Sequence, residues 1–143
     1  MQDLTTEVDS HIAAYRQGTI YEGVRKSDIK VFILASRQPR SMSAMARDLS
    51  VSRQAVHDSV KRLIALDVVE LIDIPNNGRD KQVAVTERGT QGRLFALAQV
   101  EKLEVKCAEI LGKEEFELFR KMLLTLLTGL KQNASQPDQA TGV

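Results

Sequence analysis

Between residues 41 and 66 apolar side chains recur at the three- and four-residue spacing of helices facing a core, with one break at Ser50-Val51-Ser52. Ser41 stands where an N-cap belongs and predicts a short helix to Leu49, with Met42, Met45, Ala46 and Leu49 inward. Ser52 repeats that role ahead of a helix reaching about Leu66, whose stripe is Ala55, Val56, Val60, Leu63 and Ile64. Val51, between them, is expected to tuck into the core and set the crossing angle. Two short helices about a tight turn form a helix-turn-helix. Asp67 falls just past the second helix, where a left-handed residue ends many helices; glycine is the strain-free choice there and Asp is tolerated.

The flanking segments extend the pattern. Residues 5–20 read as a weak helix with Val8, Ile12 and Tyr15 on one face, interrupted by Gly18 and Gly23. A helix from an N-cap at Ser27 carries Ile29, Phe32, Ile33 and Ala35 inward and stops at Gln38-Pro39. Residues 68–74 (VVELIDI) and 81–86 (KQVAVT) are rich in β-branched side chains and bounded by turn formers, which predicts a hairpin with its tip at Asn76-Asn77-Gly78-Arg79. Thr86 can cap a long helix over Glu87 to Leu111, with a seam of Leu94, Leu97, Val100, Leu103, Cys107, Ile110 and Leu111. Gly112 breaks it, and a last helix over 113–131 carries Phe116, Phe119, Leu123, Leu126, Leu127 and Leu130. Residues 133–143 turn to Ser, Pro, Asp and Gly and predict a flexible tail. The fold class is therefore mainly α with a small β-hairpin wing (α+β), one domain over 1–143: a winged helix-turn-helix lobe over 27–89, a connecting helix over 87–111, and terminal helices over about 5–26 and 113–131.

The face of the second motif helix opposite its apolar stripe carries the candidate chemistry. A B-DNA major groove, about 12 Å wide, admits one helix. Ser52 and Arg53 stand at the helix N-terminus, where free N–H groups favour a phosphate. Gln54 and His57 suit base edges, Gln54 by a bidentate pair with adenine, and Arg53 suits guanine or phosphate. Asp58 can accept from a cytosine amine or orient Arg62 one turn on, while Lys61 and Arg62 suit phosphate. Arg79 would project from the wing tip toward a minor groove, with Lys81 and Arg88 adding phosphate contacts. Taken singly, each of these is an ordinary solvated side chain; the joint pattern points to double-stranded DNA.

Charge sharpens this picture. Lysine and arginine total 20 against 19 acids, a net charge of only +1, but residues 25–93 hold thirteen basic and eight acidic side chains, whereas the segments on either side are net acidic. The single cysteine, Cys107, excludes an intrachain disulfide and multi-cysteine zinc sites, and its apolar flanks predict a buried thiol. No metal or cofactor is expected: His11, His57 and Cys107 lie in distant segments. No apolar run approaches a membrane span and no signal peptide is suggested, so the expected location is the cytoplasm. No nucleophile–base set or glycine-rich phosphate loop points to an enzyme.

The stretches MARDLSVSRQAVHDSVKRLIALDVV and NGRDKQVAVTERG together resemble the recognition unit and wing of the MarR-type bacterial transcriptional regulators, over about Ser27 to Leu130. The family's wing signature maps onto Asn77, Arg79, Val85, Thr86 and Gly89. Asn77 replaces the usual acid, and Asp67 the usual helix-ending glycine. The resemblance implies a homodimer on a pseudo-palindromic operator, usually a repressor. Its terminal helices would interlock through Val8, Ile12, Tyr15, Phe116, Phe119, Leu123, Leu126, Leu127 and Leu130, although packing of the last helix on its own neighbour explains that helix's apolar face as well. It further implies release by a small aromatic or anionic effector, near which Tyr15, Tyr21, Arg25 and Phe32 could lie; the ligand-binding residues themselves stay unknown. The alternative function is a winged-helix module that binds proteins rather than DNA.

Overall fold

The structure is a computed structural model and describes residues 2–75 and 77–134, with the side chains of 6–75 and 80–132. In chain order the elements are α1 (Gln2–Arg16), α2 (Lys26–Arg37), β1 (Arg40–Ser41), α3 (Met42–Leu49), α4 (Arg53–Ala65), β2 (Val69–Ile74), β3 (Asn77–Val85), α5 (Glu87–Leu111) and α6 (Lys113–Ala134). They form two units, Met1–Val100 and Glu101–Val143.

In the first unit α2, α3 and α4 pack against an antiparallel sheet of order β1-β3-β2. The core joins Val31 and Ala35 of α2, Met45 and Ala46 of α3, Val56, Val60 and Leu63 of α4, and Val68, Val69 and Val83 from the sheet side. On α4 the buried positions follow the four- and three-residue steps of one helical face. Ala55 and Ile64, expected on that face, are exposed, and the buried hydroxyl of Ser59 takes a place in the row instead.

The helix ends explain why the chain turns where it does. The Ser41 and Ser52 side chains accept from the N–H groups of Ala44 and Ala55 at 3.2 and 3.1 Å, capping α3 and α4 as expected. Ser50 and Asp67 both sit in the left-handed region, with φ of 54° and 58°. After each, the next N–H reaches back five residues, Val51 to the Ala46 carbonyl at 3.0 Å and Val68 to that of Leu63 at 3.2 Å, so each helix ends in a Schellman motif. Asp67 thus takes the left-handed role anticipated for it. Val51 does not enter the core; it is 46% exposed, because the reversal at Ser50 turns it outward and leaves the core to Val56.

Helix α2, the sheet and the wing also differ from what the pattern predicts. Helix α2 begins one residue ahead of the expected cap: Arg25 is the N-cap, and Ser27 lies inside the first turn. Its buried face is Asp28, Val31 and Ala35, while Ile33 is exposed. Residues 29–35 are apolar almost all round, so periodicity alone does not choose the face. The short β1, unanticipated, pairs Arg40 with Val83 and Ser41 with Gln82, and an Arg40–Asp48 ion pair ties it to the end of α3. In the wing, Ile74 pairs with Asn77 after a register shift at Asp73/Ile74. Asn77, Gly78 and Arg79 therefore belong to β3 rather than to the tip; Asn76 lies outside the described residues.

In the second unit α6 follows Gly112, whose φ of +94° suits glycine and breaks the helix where expected. Phe116 is half-buried; Phe119, Leu123, Leu126, Leu127 and Leu130 are all exposed. Cys107 is a half-buried free thiol, not the buried one anticipated. The tail beyond residue 134 lies outside the described residues.

Candidate nucleic-acid interface

Helix α4 presents one face to the core and the other to solvent. Val56, Ser59, Val60 and Leu63 are buried; Ser52, Arg53, Gln54, His57, Asp58 and Lys61 are exposed. Arg53, His57 and Lys61 follow one another at four-residue steps, so they line one strip along the helix. Among the described residues Arg53 and Lys61 have no acidic partner. The first turn of α4 holds no acid either, so the Arg53 cation stands at the positive end of the helix dipole without local compensation.

Beside this strip Gln54 Nε2 donates to Asp58 Oδ1 at 2.9 Å, and His57 Nδ1 lies 3.8 Å from the same oxygen. A carboxylate only accepts, so the Gln54 amide turns its NH2 toward Asp58 and keeps its carbonyl oxygen and one N–H for another partner. Asp58 thus accepts from Gln54, while the Arg62 guanidinium makes its hydrogen bonds to Asp28 and Ser59 instead.

Arg62 departs furthest from expectation. Its Nη2 donates to Asp28 Oδ1 at 2.7 Å, its Nε lies 3.1 and 3.2 Å from the two carboxylate oxygens, and Nη2 also donates to the Ser59 hydroxyl at 3.1 Å. Asp28 is 1% exposed and also accepts from the Arg25 N–H at 3.1 Å, at the start of α2. Burial by itself would push the Asp28 carboxyl up. Burial is the largest single influence, but the Arg62 guanidinium, the Arg25 N–H and the Ser59 hydroxyl together outweigh it and hold the carboxyl below its ordinary value. The same contact raises the Arg62 guanidinium. Two of the three guanidinium nitrogens are therefore committed inside the protein rather than to an outside phosphate. No local pattern marks a pair separated by 34 positions; the available signal was the spacing of Asp28 from Val31 and Ala35, which puts the acid on the helix face that packs inward.

On the wing side Lys81 is exposed opposite Asp73, with Nζ 3.7 Å from its Oδ1. The Arg79 side chain lies outside the described residues. Arg88 is exposed in the first turn of α5. The signature residues Thr86 and Gly89 hold that turn down: the Thr86 hydroxyl donates to the Asp67 carbonyl at 2.7 Å and accepts from the Gly89 N–H at 3.0 Å. A Cβ on Gly89 would meet the Val68 carbonyl oxygen at 2.1 Å, so only glycine lets α5 start this close to β2. These residues join α5 to the end of α4.

The terminal-helix residues Val8, Ile12 and Tyr15 are half-buried on α1. Of the aromatic positions considered for an effector, Tyr21 stacks on Phe95 with ring centroids 5.9 Å apart, and both Tyr21 and Phe32 pack against the core. Among the described residues no cluster of three potential metal ligands occurs, and no helix is long and apolar enough to cross a membrane.

No protein-family model and no curated protein matches the chain by sequence. Solved structures do share its fold. The transcriptional regulator Tm0710 from Thermotoga maritima is 19% identical over 95% of this chain and 97% of its own, with a TM-score of 0.67. A MarR-like transcriptional regulator (tm0816) from Thermotoga maritima is 18% identical over 90% and 93%, with a TM-score of 0.71. MarR is 21% identical over 90% and 95%, with a TM-score of 0.72. The chain thus has the winged helix-turn-helix fold of the MarR structures.

Proposed function

We propose that this chain is a MarR-type transcriptional regulator that binds double-stranded DNA sequence-specifically, as a homodimer on a pseudo-palindromic operator, and that it acts as a repressor. The observation that carries this reading is the outward strip of α4. Arg53, Gln54, His57 and Lys61 face solvent on a helix whose opposite side is locked into the core. An uncompensated cation at a helix N-terminus is relieved by an arriving phosphate, and Gln54, one N–H already engaged by Asp58, keeps the acceptor and donor that adenine N6 and N7 require. In this reading Arg53, Lys61, Lys81 and Arg88 hold phosphates, Gln54 and His57 read bases, and Arg79 approaches the minor groove. The exposed apolar residues of α6 supply the dimer contact, together with Val8, Ile12 and Tyr15 of α1. A small aromatic or anionic effector that releases the dimer must bind more tightly to one spacing of the two recognition helices.

Fluorescence anisotropy with a labelled operator duplex, titrated across salt concentrations, tests the assignment. Affinity falls steeply with salt as phosphate contacts release counterions. Gln54→Ala removes about 1–3 kcal/mol of discrimination at a single base position in each half-site. Binding that ignores sequence, with or without that substitution, overturns the reading.

A further inference from the structure

The Asp28–Arg62 pair turns inward from the exposed strip of α4 onto a buried carboxylate, and it joins the start of α2 to the far half of the helix that carries Gln54 and His57. We infer that Arg62 is a positioning residue whose grip on Asp28 sets the tilt of α4, and thereby which bases Gln54 and His57 can reach. The inference rests on the DNA-binding reading above and deepens it.

Three observations support it. First, Asp28 is almost fully buried; its Oδ2 accepts from the Arg25 N–H at the α2 cap and from Arg62 Nε, and its Oδ1 accepts from Arg62 Nη2. Two parallel N–H contacts fix a planar guanidinium in angle as well as distance, which a single contact or a lysine does not. Second, the buried Ser59 hydroxyl accepts from the same Nη2, so the pair is braced from within α4 one turn earlier. Third, leverage amplifies small errors. Gln54 stands eight residues before Arg62, about 12 Å along the helix at the standard rise, so a tilt of about 10° at the pair moves Gln54 by about 2 Å. A hydrogen bond to a base edge does not survive that displacement. The apolar contacts of Val56, Val60 and Leu63 hold α4 against the core but are non-directional; the ion pair supplies the angle.

A binding series with the selected operator duplex, and with the same duplex changed at the base read by Gln54, tests this directly. The variants are Asp28→Asn, Arg62→Met and the double substitution, each measured across salt and below its melting temperature, with the core truncation Val83→Ala as a control for lost stability alone. Asp28→Asn and Arg62→Met should each cut discrimination between the duplexes about tenfold, the worth of one bidentate base contact. The slope of log K against log salt should stay that of the wild type, the double substitution should cost no more than either single one, and Val83→Ala should keep full discrimination. If Arg62→Met reduces the salt slope by about one and weakens both duplexes alike, Arg62 is a phosphate contact and the inference fails. It also fails if Asp28→Asn discriminates like the wild type, and this variant decides the matter should Arg62→Met not fold. A wild type that cannot tell the duplexes apart instead removes the DNA-binding reading beneath it.

Discussion

The lobe around α4 and the closing helix α6 answer the same physical demand in opposite ways. In the lobe, three helices and a sheet bury ten apolar residues among those described against one another, including Val31, Met45, Val56 and Val83. Helix α6 leaves Leu118, Phe119, Met122, Leu123, Leu124, Leu126, Leu127 and Leu130 exposed, each at 43% or more. Burying one such side chain is worth about 1.5–3 kcal/mol, so the lobe has collected its stabilisation and α6 has not. An apolar surface of that extent marks an interaction site. The difference teaches that the lobe closes its core with its own contacts, whereas α6 keeps an apolar face that the proposed homodimer would cover.

The largest expected effect breaks that division. Leu123→Lys combined with Leu127→Lys should halve the mass in sedimentation equilibrium from a dimer to the 15.9 kDa chain. DNA affinity should then fall about 100-fold or more, since two linked half-sites lose their avidity, while the lobe keeps its fold by circular dichroism. A variant that stays dimeric, or unfolds throughout, would show that the two regions are not divided in this way.

Within the lobe, Asp28→Ala should cost about 3 kcal/mol in urea unfolding at pH 7, because it opens the buried pair and frees the α2 cap. The carboxyl lies below its ordinary value in the folded protein, so its contribution is complete above about pH 4, the unfolded value, and is lost as pH falls through the folded value. Wild-type stability should therefore decline more steeply than that of Asp28→Asn below pH 4; parallel declines would contradict this account. Gly89→Ala, which drives a methyl toward the Val68 carbonyl, should cost about 2 kcal/mol and displace α5 from the end of α4. An unchanged midpoint would mean that the approach relaxes freely.

Much of the fold was legible because its signals are local. Serine caps at Ser41 and Ser52, the left-handed Asp67, the Thr86 cap and the glycine break at 112 each act within a few residues of where they stand. What the pattern missed depends on distant partners. β1 is two residues long and exists only through Val83 and Gln82. The α2 face is chosen by Asp28, whose burial requires Arg62 from another helix. Asn-Gly in the wing reads as a reverse turn in isolation, yet pairing of Ile74 with Asn77 draws both residues into β3. The polar face of α4 was placed correctly on the helix, except that Arg62, grouped with the outward residues, is turned to Asp28. For α6 the sequence left two explanations of its apolar stripe; the stripe is exposed, and the dimer-breaking substitutions decide between them.

The account stands on paired α4 helices reading DNA from their outward strips, and enrichment of binding sites from a random duplex library tests it most directly. The expected product is an inverted repeat whose half-sites are centred one helical turn apart, ~34 Å, or a multiple of that, and its enrichment should vanish with the dimer-breaking α6 substitutions. Recovery of no common sequence, or of a single unpaired site bound equally well by the monomeric variant, would contradict it.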